Sequence, residues 1–221
     1  MKSRIEGWLS IPKSLYVCFM LLPWKQAMRR PIKVRYNVKL QSLKGKVLLP
    51  QNARKDLVQI GFQYVGTHDV AYRRTVLEID GTLEFKGSAM IGSGSQLCVG
   101  SSGHLACGNR FNISCSGHIV CTGHMNIGNA FLMGWDALLM DSDFHSVENV
   151  ETRKINVISC DVNIGDNVWM AARSVILKGS QIPDGCIIGA NSVVTGHYDK
   201  PNCVIAGNPG RVIKEGYRRK T

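Results

Sequence analysis

The sequence predicts an all-β solenoid of short stacked strands, and three observations predict it. Apolar residues recur at steps of six over most of residues 79–194. A companion set four positions later is apolar or small. Between the two sets fall Gly, Asn and Asp, residues of tight turns, so no amphipathic helix accounts for the pattern. The 23 glycines against 7 prolines point to many turns rather than to disorder in this 221-residue chain. An apolar content of 44% is ordinary for a globular protein, and the length suits one domain with a sizeable core.

The first element in chain order is a basic, partly apolar segment, residues 1–38. It contains "LYVCFMLLPW" (15–24), followed by "KQAMRRPIKVR" (25–35). Residues 1–75 hold 15 Lys/Arg against Glu6, Asp56 and Asp69, a net +12, so the rest of this +11 chain is close to neutral at −1. The apolar run is too short to span a bilayer. Glu6 and the lack of a small-x-small cleavage site argue against a signal peptide. An apolar run beside clustered cations suits peripheral contact with an anionic membrane. The competing reading is a helix packed on its own domain or on a neighbouring subunit. No recognition motif accompanies the charge, so nucleic acid is not an expected partner. Deleting residues 1–30 is expected to leave every hexad in place.

The first repeat block steps through Ile79, Phe85, Ile91 and Leu97, fails at Gly103 and Asn109, then resumes at Cys115, Cys121, Ile127, Met133 and Leu139. A second block runs Ile164, Met170, Ile176, Ile182, Ile188, Val194. The 25 steps from Leu139 to Ile164 are one more than a multiple of six, so the register slips in a loop near 141–160. Anchor and companion fall on one strand face by alternation, and that face is the interior. A short strand cannot bury its face alone, so coils must stack. The eight cysteines show no CxxC or zinc-ligand spacing. Cys115, Cys121 and Cys186 then point inward as packing residues of a reduced, cytosolic protein.

On the slip lies "MDSDFHSV" (140–147). If extended, it places Asp141, Asp143 and His145 on one side. That is either a solvated loop or a site.

The stretches "IGDNVWMAARSVILKGSQIPDGCIIGANSVVT" (164–195), "AGNPGRVIKE" (206–215) and "MGWDALLMDSDFH" (133–145) resemble the hexapeptide-repeat acyltransferases, in the branch that acetylates sugars of capsules, lipopolysaccharide and other surface glycans. The resemblance implies a left-handed parallel β-helix over residues 39–206, triangular in section with three hexads per coil. It also implies a homotrimer with active sites between neighbouring subunits, acetyl-CoA as co-substrate and a short helical basic tail at 207–221. The left hand runs against the usual crossover rule and comes from the resemblance alone. A cytoplasmic protein, or one peripheral at the inner face of the membrane, follows, with a free or lipid-linked glycan as acceptor.

By the same resemblance His145 is the general base, taking the proton of a sugar hydroxyl for direct transfer without an acyl-enzyme. Asp143 holds the imidazole tautomer or, like Asp141, binds acceptor hydroxyls. Trp135 is matched to a sugar-stacking tryptophan and Trp169 to one lining the acetyl and pantetheine channel. Ala172 and Ala190 match small residues beside the pantetheine arm, and Thr195 one at the nucleotide end, where Gly196 replaces an expected lysine. Arg211 and Lys214 match basic residues near the CoA phosphates. Ser114 occupies the position of an acceptor-binding asparagine, which argues against free galactosides. His104, His118 and His124 invite comparison with zinc-binding β-helices, but the ligand spacing is absent and no metal is expected. Two other readings stand beside this one: a non-catalytic trimeric scaffold, and an acetyltransferase for a serine or an amino-sugar nitrogen.

Overall fold

The computed structural model describes residues 2–66, 69 and 71–220. The side chains of Lys2 and Arg4, counted above among the basic residues, lie outside what it describes. The strands form three sheets, parallel except for the last strand of the first, the faces of a prism around one apolar core. Sheet I holds nine strands, from Ile32–Val34 to Cys203–Gly207 and Gly210–Glu215. Sheet II holds seven, from Lys39–Ser42 to Val193–Val194, and sheet III six, from Lys46–Leu48 to Gln181–Ile182. The chain visits the sheets in the order I, II, III, so each strand pairs with the one a coil later. This is the expected fold class, the left-handed parallel β-helix of hexapeptide repeats. Its first strand, Ile32–Val34, lies inside the segment assigned to residues 1–38 and pairs with Val58–Ile60.

The upper coils keep strict time. Met170 pairs with Ile188, Ile176 with Val194 and Ile164 with Ile182, each 18 residues on. The lower coils are longer: Ile91 pairs with Ile113 and Val99 with Cys121. From Ile91 to Cys121 the chain covers thirty residues, five hexads by counting, yet only four inward steps. Those steps run through Val99, Cys107 and Ile113, three of them eight residues long. The spare residues sum to one hexad, so the apparent phase recovers. Gly103 and Asn109 fail the pattern because they are turn residues.

At the corner between sheets III and I, one link joins successive coils. The Asn129 side-chain oxygen accepts from the Asn109 N–H (2.9 Å), Asp166 from the Asn129 N–H (2.6 Å) and Asp184 from the Asp166 N–H (2.7 Å). Gly128 and Gly165 precede two of these residues because a Cβ there would meet the next coil's aspartate oxygen at 2.5 and 2.3 Å. The words "IGN" and "IGD" are thus corner chemistry.

The N-terminal segment caps the solenoid with α1 (Lys2–Leu9), α2 (Ile11–Leu21) and α3 (Trp24–Ala27). Val17, Cys18, Leu21, Leu22 and Ala27 are buried and belong to the core. The open edge of Ile32–Val34 and the residues after it is satisfied by α2 and its N-cap. The Val34 N–H donates to the Ser14 hydroxyl (2.9 Å) and the Tyr36 N–H to the Ser10 hydroxyl (3.0 Å). Glu6 pairs with the buried Arg35 at 2.8 Å. Of the two readings of this segment, packing on its own domain is what the described residues show: they close an exposed sheet end. The opposite side of the cap presents Trp8, Leu9, Tyr16, Phe19, Trp24 and Met28 to solvent. Among the described residues no helix is long and apolar enough to cross a membrane.

The C-terminal tail is not helical, a second correction. Residues 203–215 form an antiparallel hairpin, Cys203–Gly207 with Gly210–Glu215, turning through a cis Asn208–Pro209 bond. Val212 and Ile213 are β-branched and fit a strand. The strand Cys203–Gly207 also crosses the boundary drawn at 206/207. Residues 216–220 then run back along the III–I corner, where Tyr217 N–H donates to Asn202 (2.8 Å) and Arg219 to the Ala130 carbonyl (2.5 Å).

Candidate active site

Residues 141–161 leave the solenoid at the corner between sheets II and III as a two-stranded arm, bridged at Ser142–Ser159 and Glu148–Ile155. The base of the arm is locked by Asp141. Its carboxylate is fully buried and accepts from the Thr122 N–H (2.9 Å), the Thr122 hydroxyl (2.9 Å) and the Gly123 N–H (2.7 Å). Charge-assisted bonds of this kind are the strong ones. Asp141 therefore does not bind acceptor hydroxyls, contrary to expectation. Nor do Asp141, Asp143 and His145 share one side. The strand ends at Met140, and Phe144 has φ of 61°, which breaks the extended run.

Asp143 and His145 are both exposed. The Asp143 carboxylate pairs with the Lys178 ammonium and accepts from the Asn156 side-chain amide (3.1 Å). The imidazole of His145 makes no hydrogen bond to any described residue, so within one chain Asp143 holds the arm rather than the histidine. Lys178, Asn156, Thr122 and Ser159 are the supporting residues that sequence reasoning missed. Lys178 belongs to "ILKGSQI", where nothing distinguishes it from a solvated lysine.

At the corner between sheets I and II the coils stack in register, with Trp135, Ala172 and Ala190 at the same turn position of three consecutive coils. The bonds Gly134 N–H to Met170 O, Ala171 N–H to Ile188 O and Gly189 N–H to Ile205 O fix that register. Ser114 lies at this corner one coil below, opposite Gly134. Trp135 is 42% exposed. Arg73, from the loop 61–75, reaches the neighbouring Asp136 at 3.6 Å and is a further missed residue. Trp169 is half-buried on the outer face of sheet I, between Leu132 and Ile187. Thr195 is exposed at the II–III corner, the same corner as the arm. Arg211 and Lys214 are exposed on Gly210–Glu215, and the Lys214 ammonium lies 5.5 Å from the Tyr217 ring centroid.

One chain thus carries the candidate groups on opposite edges of sheet II, with His145 and Thr195 on one edge and Trp135, Ala172 and Ala190 on the other. The outer face between them is apolar and half-exposed, with Val120, Leu138, Met140, Val175, Leu177 and Val193. The outer face of sheet III is polar by contrast, with Glu84, His104, His124, Asn126, Asn163 and Gln181.

The Cys98 and Cys121 thiols are poor nucleophiles. Burial pushes the Cys121 thiol up to about 12, helped by the Asp141 carboxylate, and the Cys98 thiol up to about 11. His104 and His124 pair across sheet III with ring centroids 6.1 Å apart. Among the described residues no group of three or more His, Cys, Asp or Glu is placed to hold a metal ion.

Comparison with known proteins locates the repeat. The bacterial transferase hexapeptide (six repeats) matches residues 161–196, the strict upper coils. A candidate lipopolysaccharide biosynthesis O-acetyl transferase, WbbJ of Escherichia coli (strain K12), is 39% identical over 80 residues, 36% of this chain and 40% of that protein. The galactoside O-acetyltransferase of the same organism is 41% identical over 71 residues, 32% of this chain and 34% of that one. The matched part spans well under half the length of either relative. Among solved structures, the polySia specific acetyltransferase NeuO superposes with a TM-score of 0.61 at 20% identity, covering 85% of this chain and 74% of that one. That likeness establishes the fold.

Proposed function

We propose that this chain, a hexapeptide-repeat protein of the bacterial transferase type, is an O-acetyltransferase that uses acetyl-CoA to acetylate a sugar hydroxyl of a surface glycan. The observation that carries the reading is His145: an exposed imidazole with no partner among the described residues, on an arm whose base is clamped by a buried carboxylate. A base so held is positioned yet available. It takes the proton of the acceptor hydroxyl as the oxygen attacks, which contributes about 10²–10⁴-fold.

The donor fits this chain. The small side chains Ala172 and Ala190 leave a strip at the I–II corner beside exposed Trp135, and Arg211 and Lys214 supply cations for phosphates. When bound, acetyl-CoA supplies an activated acetyl thioester. The chain's residues hold it, exclude water and move the proton. Because the base and the donor strip occupy opposite edges of sheet II, a working site needs two chains. A trimer closing on the apolar outer face of sheet II brings the arm of one chain to the donor corner of the next. In that setting Asp143 turns to orient His145 or meets the acceptor, and Trp135 and Ser114 face the sugar.

The protein works at the inner face of a membrane on this reading. The exposed apolar side of the N-terminal cap, flanked by Lys25 and Arg29, matches an anionic lipid surface in both polarity and charge. Thiol release from acetyl-CoA with a panel of glycan acceptors tests the activity, and light scattering tests the trimer. A well-folded trimer that neither hydrolyses acetyl-CoA nor acetylates any acceptor would leave a scaffold instead. Co-sedimentation with anionic vesicles at two salt concentrations tests the membrane contact, which should weaken as salt screens it.

A further inference from the structure

On the outer face of sheet I, in the coils below Trp169, runs a groove with no assigned role, its top rung Leu132 pairing with Trp169. Its floor is the outward ladder Gln59, Met90, Asn112 and Leu132 on four successive strands. Four strands span about 14 Å at the usual strand spacing. Two cavities of 250 and 270 Å³ lie along it and share Arg110 and Asn112. Its wall is cationic: Arg54, Arg110 and Arg219.

Three features mark this groove as more than a solvated face. The guanidinium groups of Arg54 and Arg110 make no hydrogen bond or ion pair with any described residue. The sole lining carboxylate, Asp56, is paired with Arg30 at 3.9 Å. Arg219 is pinned by the Ala130 carbonyl and by the Asn167 side chain at 3.2 Å, so it stays beside Arg110 despite their like charge. Burial, and then the charge of Arg110, lower its pKa, the sign of an uncompensated positive field. Finally, the Arg219 Nε–H and the Asn112 side-chain oxygen are both buried without partners in the same cavity. Buried polar groups normally find partners.

We infer that this groove binds an acidic saccharide chain, the extended part of the glycan acceptor. A carboxylate answers the guanidinium groups, and sugar hydroxyls answer the amides of Gln59 and Asn112. Met90 and Leu132 offer apolar ground for the C–H faces of a ring. The aromatic residues of its lining, Phe111 and Phe131, are buried in the core and offer no open ring to stack bases, which disfavours single-stranded nucleic acid. The inference rests on the transferase reading for the identity of the chain as acceptor, but binding itself needs no transfer.

The test is fluorescence anisotropy with a labelled oligogalacturonate, on the intact protein and on the Arg54→Ala/Arg110→Ala double variant. Both side chains are exposed and unpartnered, so the fold should be unaffected. The intact protein should bind, the double variant at least tenfold more weakly, with CoA affinity unchanged in both. No binding by the intact protein, or equal binding by the variant, overturns the site. So does equal binding of a neutral maltooligosaccharide, equal competition by inorganic phosphate, tighter binding of a single-stranded oligonucleotide, or displacement by CoA. His145→Ala should bind the probe normally, so failure of acetyl transfer and failure of this groove are separately readable.

Discussion

The coils below the arm and the coils above it obey the same plan with different strictness. Above, from Val162 to Val194, each coil takes 18 residues and every corner repeats. Below, three steps of eight residues are mixed among steps of six, and the long loop 61–75 is inserted at the I–II corner. The strict coils place Ala172 and Ala190 in a column at the I–II corner, the corner proposed for the donor, which demands invariant spacing. The loose coils hold the basic groove and the helical cap, surfaces that tolerate variable corners. Regularity follows the need for a repeated backbone shape, not the need for a core, because the interior is filled equally in both halves.

The largest break in this comparison should come from removing residues 1–30. The lost burial of Val17, Leu21 and Leu22 alone is on the order of 5 kcal/mol. Hydrogen exchange should show the lower coils opening first while residues 162–194 stay protected. Uniform protection in the truncated protein would show that the cap does not hold the lower coils.

The next effect belongs to the junction. His145→Ala should lower transfer by about 10²–10⁴-fold with unchanged melting temperature and CoA affinity, since the side chain is exposed and unpartnered. Full activity in a well-folded trimer would remove His145 as the base. Asp143→Asn should cost activity less, through kcat if the carboxylate orients His145, or through acceptor KM if it meets sugar.

Asp141→Ala should act through stability instead. Leaving the Thr122 and Gly123 N–H groups buried without an acceptor costs about 2–4 kcal/mol. The loss should appear as a lower Tm and faster proteolysis within 141–161. Asp141→Asn keeps an acceptor oxygen and should recover part of it. A normal Tm for Asp141→Ala would mean that the arm is held elsewhere.

The smallest effect is in alkali. The Cys98 and Cys121 thiols titrate at about 11 and about 12 in the fold against 9 for an unperturbed thiol. Raised folded values favour the folded state below pH 9, and that advantage is lost as pH rises toward 12. Denaturant midpoints should therefore decline across pH 9–12, and less so in a Cys98→Ser/Cys121→Ala variant.

The solenoid, its inward faces and the slip before residue 164 were legible because strand alternation and tight corners leave period six in the residues themselves. The local wording of "MDSDFH" pointed to His145, which the structure places exposed on the arm. What lay beyond reach was set by contacts distant in sequence. Thr122 and Gly123, nineteen and eighteen residues before Asp141, turn that aspartate from an apparent ligand group into a buried clamp. The cap was ambiguous because "LYVCFMLLPW" is apolar on both sides of α2, and only the position of Ile32–Val34 decides which side is buried. The tail misled because "GRVIKE" carries no helix-breaking residue after its glycine.

The corner link from Asn109 through Asn129 and Asp166 to Asp184 makes each coil an interchangeable rung, joined above and below by the same bond. Gain or loss of one rung leaves both neighbours able to rejoin. It shifts the height of the arm relative to the basic groove by one strand spacing, about 4.8 Å. If the groove grips a long acceptor as inferred, the distance from there to the arm is graduated, like marks on a ruler, and descendants of this chain can change it only in whole divisions.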